Sequence, residues 1–146
     1  MPERTRIKFC GLTRAEDVHL AVALDVDAVG LNLARGPRKL TVERAAALAR
    51  LVPPHIAVVA LFADQDADAI DAALAQVRVQ AVQLHGDEPP ELAERLRARH
   101  PVIKAFGVRS AADLDRVRGY PCDAALLDAP GGGTGTTWNH DLLRGA

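Results

Sequence analysis

Short apolar runs rich in Val, Ile and Leu alternate with helical patterns along the whole chain, and this alternation limits the fold more than any other feature. Candidate strands begin near residues 7, 27, 56, 81, 102 and 124, about 23 residues apart on average, enough for one strand, one helix and two short connections. Strands separated by helices at this spacing pair in parallel, with right-handed crossovers. The strand segments are Ile7–Cys10, Asp27–Leu33, Ile56–Phe62, Ala81–His85, Val102–Phe106 and Ala124–Leu127. The third is nearly all apolar, as expected of a strand covered on both faces. Between them, helices are predicted after Thr13, with Glu16 at the capping-box position, and over about Val42–Leu51, Asp66–Gln76, Pro89–Arg99 and Ser110–Arg118. A helical stub is expected near Trp138–Arg144.

Composition narrows the class. The chain has 146 residues, 49% hydrophobic, with 18 Lys+Arg against 19 Asp+Glu for a net charge of −1. That balance provides no electrostatic footprint for nucleic acid or an anionic membrane. No apolar run approaches the roughly 18–20 residues of a membrane-spanning helix, and the Met-Pro-Glu-Arg start does not read as a signal peptide. Two cysteines, Cys10 and Cys122, are too few for a disulfide framework. The expectation is one domain over residues 1–146, soluble, reduced and cytoplasmic. Length alone favours a doubly wound open sheet, complete with five or six strands, over a (β/α)8 barrel, which typically needs about 250 residues.

In either parallel architecture ligands sit at the carboxyl ends of the strands. The first strand ends in Cys10-Gly11, with Lys8 on the same face by the two-residue period. The second leads to Asn32, Arg35, Arg38 and Lys39, and the fourth ends in His85-Gly86-Asp87-Glu88 with Gln83 on the face of His85. The fifth carries Lys104 and the sixth ends at Asp128. Each has a plainer reading. Cys10 could be a small buried hydrophobe, Asp128 a turn opener, His85 a structural donor and Arg38 a solvated loop residue. Lys8 and Lys104 need a partner or solvent access inside apolar strands. The loop Gly131-Gly132-Gly133-Thr134-Gly135-Thr136-Thr137 invites a phosphate reading through its N–H groups, but it lacks the P-loop lysine. A mobile active-site loop or a plain flexible loop fits equally well.

Taken together, these strings resemble the phosphoribosylanthranilate isomerases of tryptophan biosynthesis. Lys8-Phe9-Cys10-Gly11-Leu12-Thr13-Arg14 is similar to that family's opening, and Asp27 to Asn32 with Gly36-Pro37-Arg38 is similar to its second unit. Val82-Gln83-Leu84-His85-Gly86-Asp87-Glu88, Val102-Ile103-Lys104-Ala105 and Leu126-Leu127-Asp128 with Gly132-Gly133-Thr134-Gly135 resemble the fourth, fifth and sixth units. The resemblance runs in order along essentially the whole chain. Leu33-Ala34-Arg35 departs from the family's aromatic-proline stretch, and Trp138-Asn139-His140 from its F-D-W.

The resemblance implies the (β/α)8 TIM-barrel family, α/β in class, here an incomplete barrel of about six parallel strands. The loops after the seventh and eighth strands, through which the family mainly grips phosphate, would lie beyond it. It implies an Amadori rearrangement of N-(5-phosphoribosyl)anthranilate, with Cys10 as general base and Asp128 as general acid. A thiol acts as a base through its thiolate, which a nearby cation such as Lys8 favours, and a carboxyl group donates only while it stays protonated. Arg38 is the implied partner of the anthranilate carboxylate, with His85 and Lys8 at the substrate. The partner implied is a small phosphorylated molecule, and no metal or organic cofactor is implied. An alternative is a catalytically incompetent partial barrel that pairs with a second copy or a complementing fragment through its open sheet edges.

Overall fold

A computed structural model describes residues 4–129, 137 and 139–144. Each apolar run forms a strand: β1 Lys8–Cys10, β2 Ala28–Asn32, β3 Ala57–Phe62, β4 Ala81–Leu84, β5 Val102–Gly107 and β6 Ala124–Asp128. The helices between them are α1 Ala15–Ala23, α2 Val42–Ala49, α3 Ala67–Leu74, α4 Pro90–Arg97 and α5 Ala111–Gly119. The stub expected near the end is a single 3-10 turn, His140–Leu143. The glycine-rich loop lies, apart from Thr137, outside the described residues. No helix among the described residues is long and apolar enough to cross a membrane.

Local chemistry explains most helix starts. The Thr41 hydroxyl accepts from the Arg44 N–H and Asp66 Oδ1 from the Ala69 N–H, each satisfying a donor that the first turn leaves free. Asp113 Oδ2 accepts from the N–H groups of Arg109 and Ser110 at the start of α5. The expected cap at Thr13 does not form. Arg14 occupies the N-cap of α1 without a side-chain bond, its guanidinium turned instead to Glu16 and Asp17.

All five strand pairs are parallel, and the sheet order is β1-β2-β3-β4-β5-β6 with no switch point. The doubly wound sheet that length favours would add strands on both sides of the first. Length limits how many strands a chain can make and says nothing of their order. Alternate strand residues, Val29, Leu31, Val58, Ala60, Phe62, Val82, Leu84 and Val102, share one buried cluster with Val18 and Ala21 of α1, Leu48 of α2, Ile70 of α3 and Leu96 of α4. Helices α1–α4 therefore pack on one face. The opposite face holds a smaller cluster of Val59, Leu61 and Ala81 with Ala28 and Ile103.

That opposite face is concave. Lys8 on β1 and Gln83 on β4 are three strand steps apart, about 14 Å in a flat sheet, yet Lys8 Nζ donates directly to Gln83 Oε1. Only a curled sheet brings them together, so the six strands form an arc of a barrel.

Lys104 lies on the other side. It is in register with Leu84, on the helix-facing side of the sheet, and reaches the rim only at the cavity it shares with His85 and Asp128. It pairs with Glu88, 3.2 Å away, both side chains almost fully buried. Lys104 Nζ also donates to the carbonyls of Gly86 and Ala105, at 2.6 and 3.0 Å. Removing one member of such a pair leaves the other charge buried and uncompensated. Lys104→Met should cost about 3–5 kcal/mol in folding free energy by urea titration; a loss below about 1 kcal/mol would show that the site relaxes or admits water.

Candidate active site

The concave face changes character along its strands. Its lower part is lined by Ala28, Ala57, Val59, Ala81 and Ile103. At the carboxyl ends the same face carries Lys8 and Cys10 on β1, Asn32 on β2, Gln83 and His85 at β4, and Asp128 on β6.

Cys10 is an exposed free thiol, which removes the buried-hydrophobe reading. Lys8 Nζ is 3.8 Å from its sulfur. Gly30, in register with Cys10 on β2, makes room for it: a Cβ there would lie 2.8 Å from Sγ. Gly11 has φ +75°, and a Cβ would fall 2.7 Å from Arg38 Nη1. The arginine crosses this bare backbone and donates from Nη1 to the Cys10 carbonyl at 3.1 Å. Glycine is thus required at Gly11 both for the turn and for the approach of the guanidinium. Asn32 shapes the loop that delivers Arg38, accepting from the Ala34 N–H and donating to the Arg35 carbonyl, both at 2.9 Å.

On the other side of the mouth, His85 Nδ1 is 3.5 Å from Gln83 Nε2, and His85 Nε2 is 3.9 Å from Asp128 Oδ2. Burial pushes the imidazole pKa below 6.5; Asp128 opposes this, while Lys104 and Lys8 add to it. Asp128 Oδ1 accepts from the Ala129 N–H at 2.7 Å.

The five residues singled out in the sequence, Lys8, Cys10, Arg38, His85 and Asp128, come together around one cavity of about 440 Å³. A neighbouring cavity of about 410 Å³ shares Arg35, His85 and Asp128 and extends to Arg109 and Arg116. The sequence reading missed the supports beneath the rim. Glu88 Oε1 accepts from the N–H groups of Asp64 and Gly86, each at 3.0 Å. Asp64, at φ +55°, accepts from the Asp87 N–H at 2.6 Å and pairs with Arg35 at 2.9 Å. A Cβ on Gly86 would lie 2.2 Å from Asp64 Oδ1. The signal available in the sequence was the glycine after His85, which marks a close backbone approach. Among the described residues no three His, Cys, Asp or Glu side chains gather as a metal site.

A barrel arc with a thiol, an imidazole, a carboxyl group and a guanidinium around one strand-end cavity defines an enzyme of the TIM-barrel class. Comparison with known proteins makes this specific. Residues 7–146 match the family model for N-(5′-phosphoribosyl)anthranilate isomerase. The N-(5′-phosphoribosyl)anthranilate isomerase of Geobacter sulfurreducens is 40% identical over 146 residues, covering 97% of this chain and 71% of that protein. The crystal structure of the Thermus thermophilus phosphoribosyl anthranilate isomerase superposes with a TM-score of 0.89 at 38% identity, over 96% of this chain and 70% of that one. Another isomerase of this kind, solved with reduced 1-(o-carboxyphenylamino)-1-deoxyribulose 5-phosphate, superposes with a TM-score of 0.79 at 35% identity, over 86% of this chain and 66% of that one. The chain belongs to the N-(5′-phosphoribosyl)anthranilate isomerase family.

The environment of His85 has a measurable consequence. Its folded pKa lies below 6.5, with burial the main cause and Asp128 the main opposing charge. Asp128→Asn should therefore lower the His85 pKa further in an NMR titration, and a rise would contradict the arrangement. The sign for stability follows. Between its folded pKa and the unfolded value of 6.5 the unfolded imidazole binds more proton, so this group's contribution is complete above 6.5 and is lost as the pH falls through that window.

Proposed function

We propose that this chain, acting as a single domain over residues 1–146, isomerises N-(5-phosphoribosyl)anthranilate to 1-(2-carboxyphenylamino)-1-deoxyribulose 5-phosphate, a step of tryptophan biosynthesis. The observation that carries the reading is the shared cavity. In a member of this family, Cys10, Asp128, Arg38, His85 and Lys8 line one space of about 440 Å³, within the range of small-molecule sites. A relative binds a reduced form of the product.

The reaction needs a proton delivered to the furanose oxygen as the ring opens and a proton removed from C2′ as the aminoaldose becomes an aminoketose. Asp128 is the acid and Cys10 the base. They stand on the two outermost strands of the arc and meet across its mouth, so a substrate between them is reached from both sides. Lys8 Nζ, 3.8 Å from Sγ, stands beside the base. Arg38 takes the anthranilate carboxylate, and its guanidinium, pinned at the Cys10 carbonyl, holds that end of the substrate beside the base. His85 contacts the sugar between acid and floor. The proton moves lie within reach of side chains, so the reading calls for no cofactor. The unpaired thiols Cys10 and Cys122 suit a reducing cytoplasm.

A second reading rests on the sheet edges. Among the described residues β1 pairs only with β2 and β6 only with β5, and unpaired parallel edges recruit further strands. A second copy closing this edge would appear as a concentration-dependent dimer in sedimentation; a monomer at all concentrations would remove the reading.

Cys10→Ala and Asp128→Asn should each lower turnover by at least about two orders of magnitude, the scale of a lost general base or acid. The loss of substrate fluorescence on rearrangement reads this directly, and near-normal turnover in either variant would overturn the assignment. Arg38→Ala should act mainly through KM, because the carboxylate it binds does not change in the reaction.

A further inference from the structure

The proposed acid and base are linked around the cavity by Lys8, Gln83 and His85. Lys8 Nζ lies between Cys10 Sγ and Gln83 Oε1, Gln83 Nε2 faces His85 Nδ1 at 3.5 Å, and His85 Nε2 faces Asp128 Oδ2 at 3.9 Å. Gln83 is 1% exposed.

The hydrogen-bond inventory of these groups fixes its direction. A lysine ammonium has only donors, so the amide of Gln83 must present its oxygen to Lys8. Its NH2 is then turned to His85 Nδ1, which must accept. A neutral imidazole that accepts at Nδ1 carries its proton at Nε2. We propose that Gln83 is a positioning residue that fixes His85 as the Nε2–H tautomer, aimed at the carboxyl group of Asp128.

The consequence for catalysis rests on the acid role proposed above. Once Asp128 has given its proton to the sugar oxygen, the carboxylate that remains faces a ready N–H. The donor is in place before the charge develops, which is how an oriented dipole lowers a barrier. The opposite tautomer would place a lone pair against that carboxylate and oppose the step. Charged groups of both signs surround the ring: Asp128 and Glu88 draw a proton to it, Lys104 and Lys8 repel one, and Cys10, Arg35 and Arg38 line the same cavity. Burial is the main cause that lowers the ring pKa; Gln83 stands at Nδ1 and Asp128 at Nε2, and both favour the same tautomer.

The test is nitrogen-15 NMR of the imidazole rings in the full 146-residue chain. In the wild type, His85 should show a protonated Nε2 and a bare Nδ1. Gln83→Glu keeps size and shape and still accepts from Lys8, but it also accepts from His85, so Nδ1 should become protonated and the ring pKa should rise. Lys8→Met, which leaves Gln83 and His85 in place, should release the amide and give a mixture of tautomers. With the substrate, Gln83→Glu should lower kcat about tenfold, the scale of losing the outer partner of a working histidine, with little change in KM. A wild-type proton on Nδ1, an Nδ1 still bare in Gln83→Glu, or an unchanged kcat once the tautomer has moved would overturn the proposal. A wild-type chain with the stated tautomer and no turnover would overturn the isomerase reading and leave the hydrogen-bond assignment standing.

Discussion

The carboxylate of Glu88 is the joint on which the upper rim depends. It accepts from the backbone of the turn after β3 at Asp64, from the turn after β4 at Gly86, and from Lys104 on β5. The turns after two consecutive strands and the middle of a third are thereby held to one buried group. A charge so deeply desolvated is tolerable only when nearly every lone pair is used, so the turns must keep the shape that delivers those donors. The end of α5 is attached to the same joint. Tyr120 donates its hydroxyl to the Glu88 carbonyl at 3.1 Å and packs edge-on against Phe106, ring centroids 5.7 Å apart. Burial raises the Tyr120 pKa to about 12, so this donor persists across the working pH range. The pair thus contributes position more than net stability, and the position it sets is that of His85, one residue before Gly86.

This arrangement explains what was and was not legible in the sequence. The strands were legible because a parallel strand covered on both faces reads as an unbroken apolar run, as Ala57–Phe62 does. The pairing of Lys8 with Cys10, and of Gln83 with His85, followed from the two-residue period alone. Strand order is not a local property, so the length argument pointed to the wrong topology. The face that Lys104 takes was not legible for a related reason. Val102–Phe106 is apolar throughout except for that lysine, and without alternation the period fixes no face. The roles of Asp64 and Glu88 were not legible because each accepts from a backbone N–H far off in sequence, Asp64 from Asp87 and Glu88 from Asp64.

The two faces of the sheet follow different rules. The convex face is packed by helices and carries the large residues, Phe62, Leu84 and Leu31 among them. On the concave face curvature brings side chains together, and its lower part mixes Ala28, Ala57 and Ala81 with Val59 and Ile103. Toward the carboxyl ends this face turns polar, and Gly30 leaves the gap that Cys10 occupies. An apolar lower part beneath a polar mouth separates scaffold from site, a division that the barrel class uses throughout.

Curvature is therefore a chemical requirement as well as an architectural one. Cys10 and Asp128 belong to β1 and β6, five strand steps apart, about 24 Å in a flat sheet, yet both line one cavity of about 440 Å³. A flatter arc would leave each group intact and the pair useless. The tie across the floor, Lys8 to Gln83, is already closed by a hydrogen bond, whereas His85 and Asp128 at the rim stand 3.9 Å apart, beyond hydrogen-bonding length. The floor is set before a substrate arrives, and the slack lies at the residue proposed as the acid. Preorganised depth with a loose rim is the distribution expected of a site that binds first and completes its contacts only as charge develops.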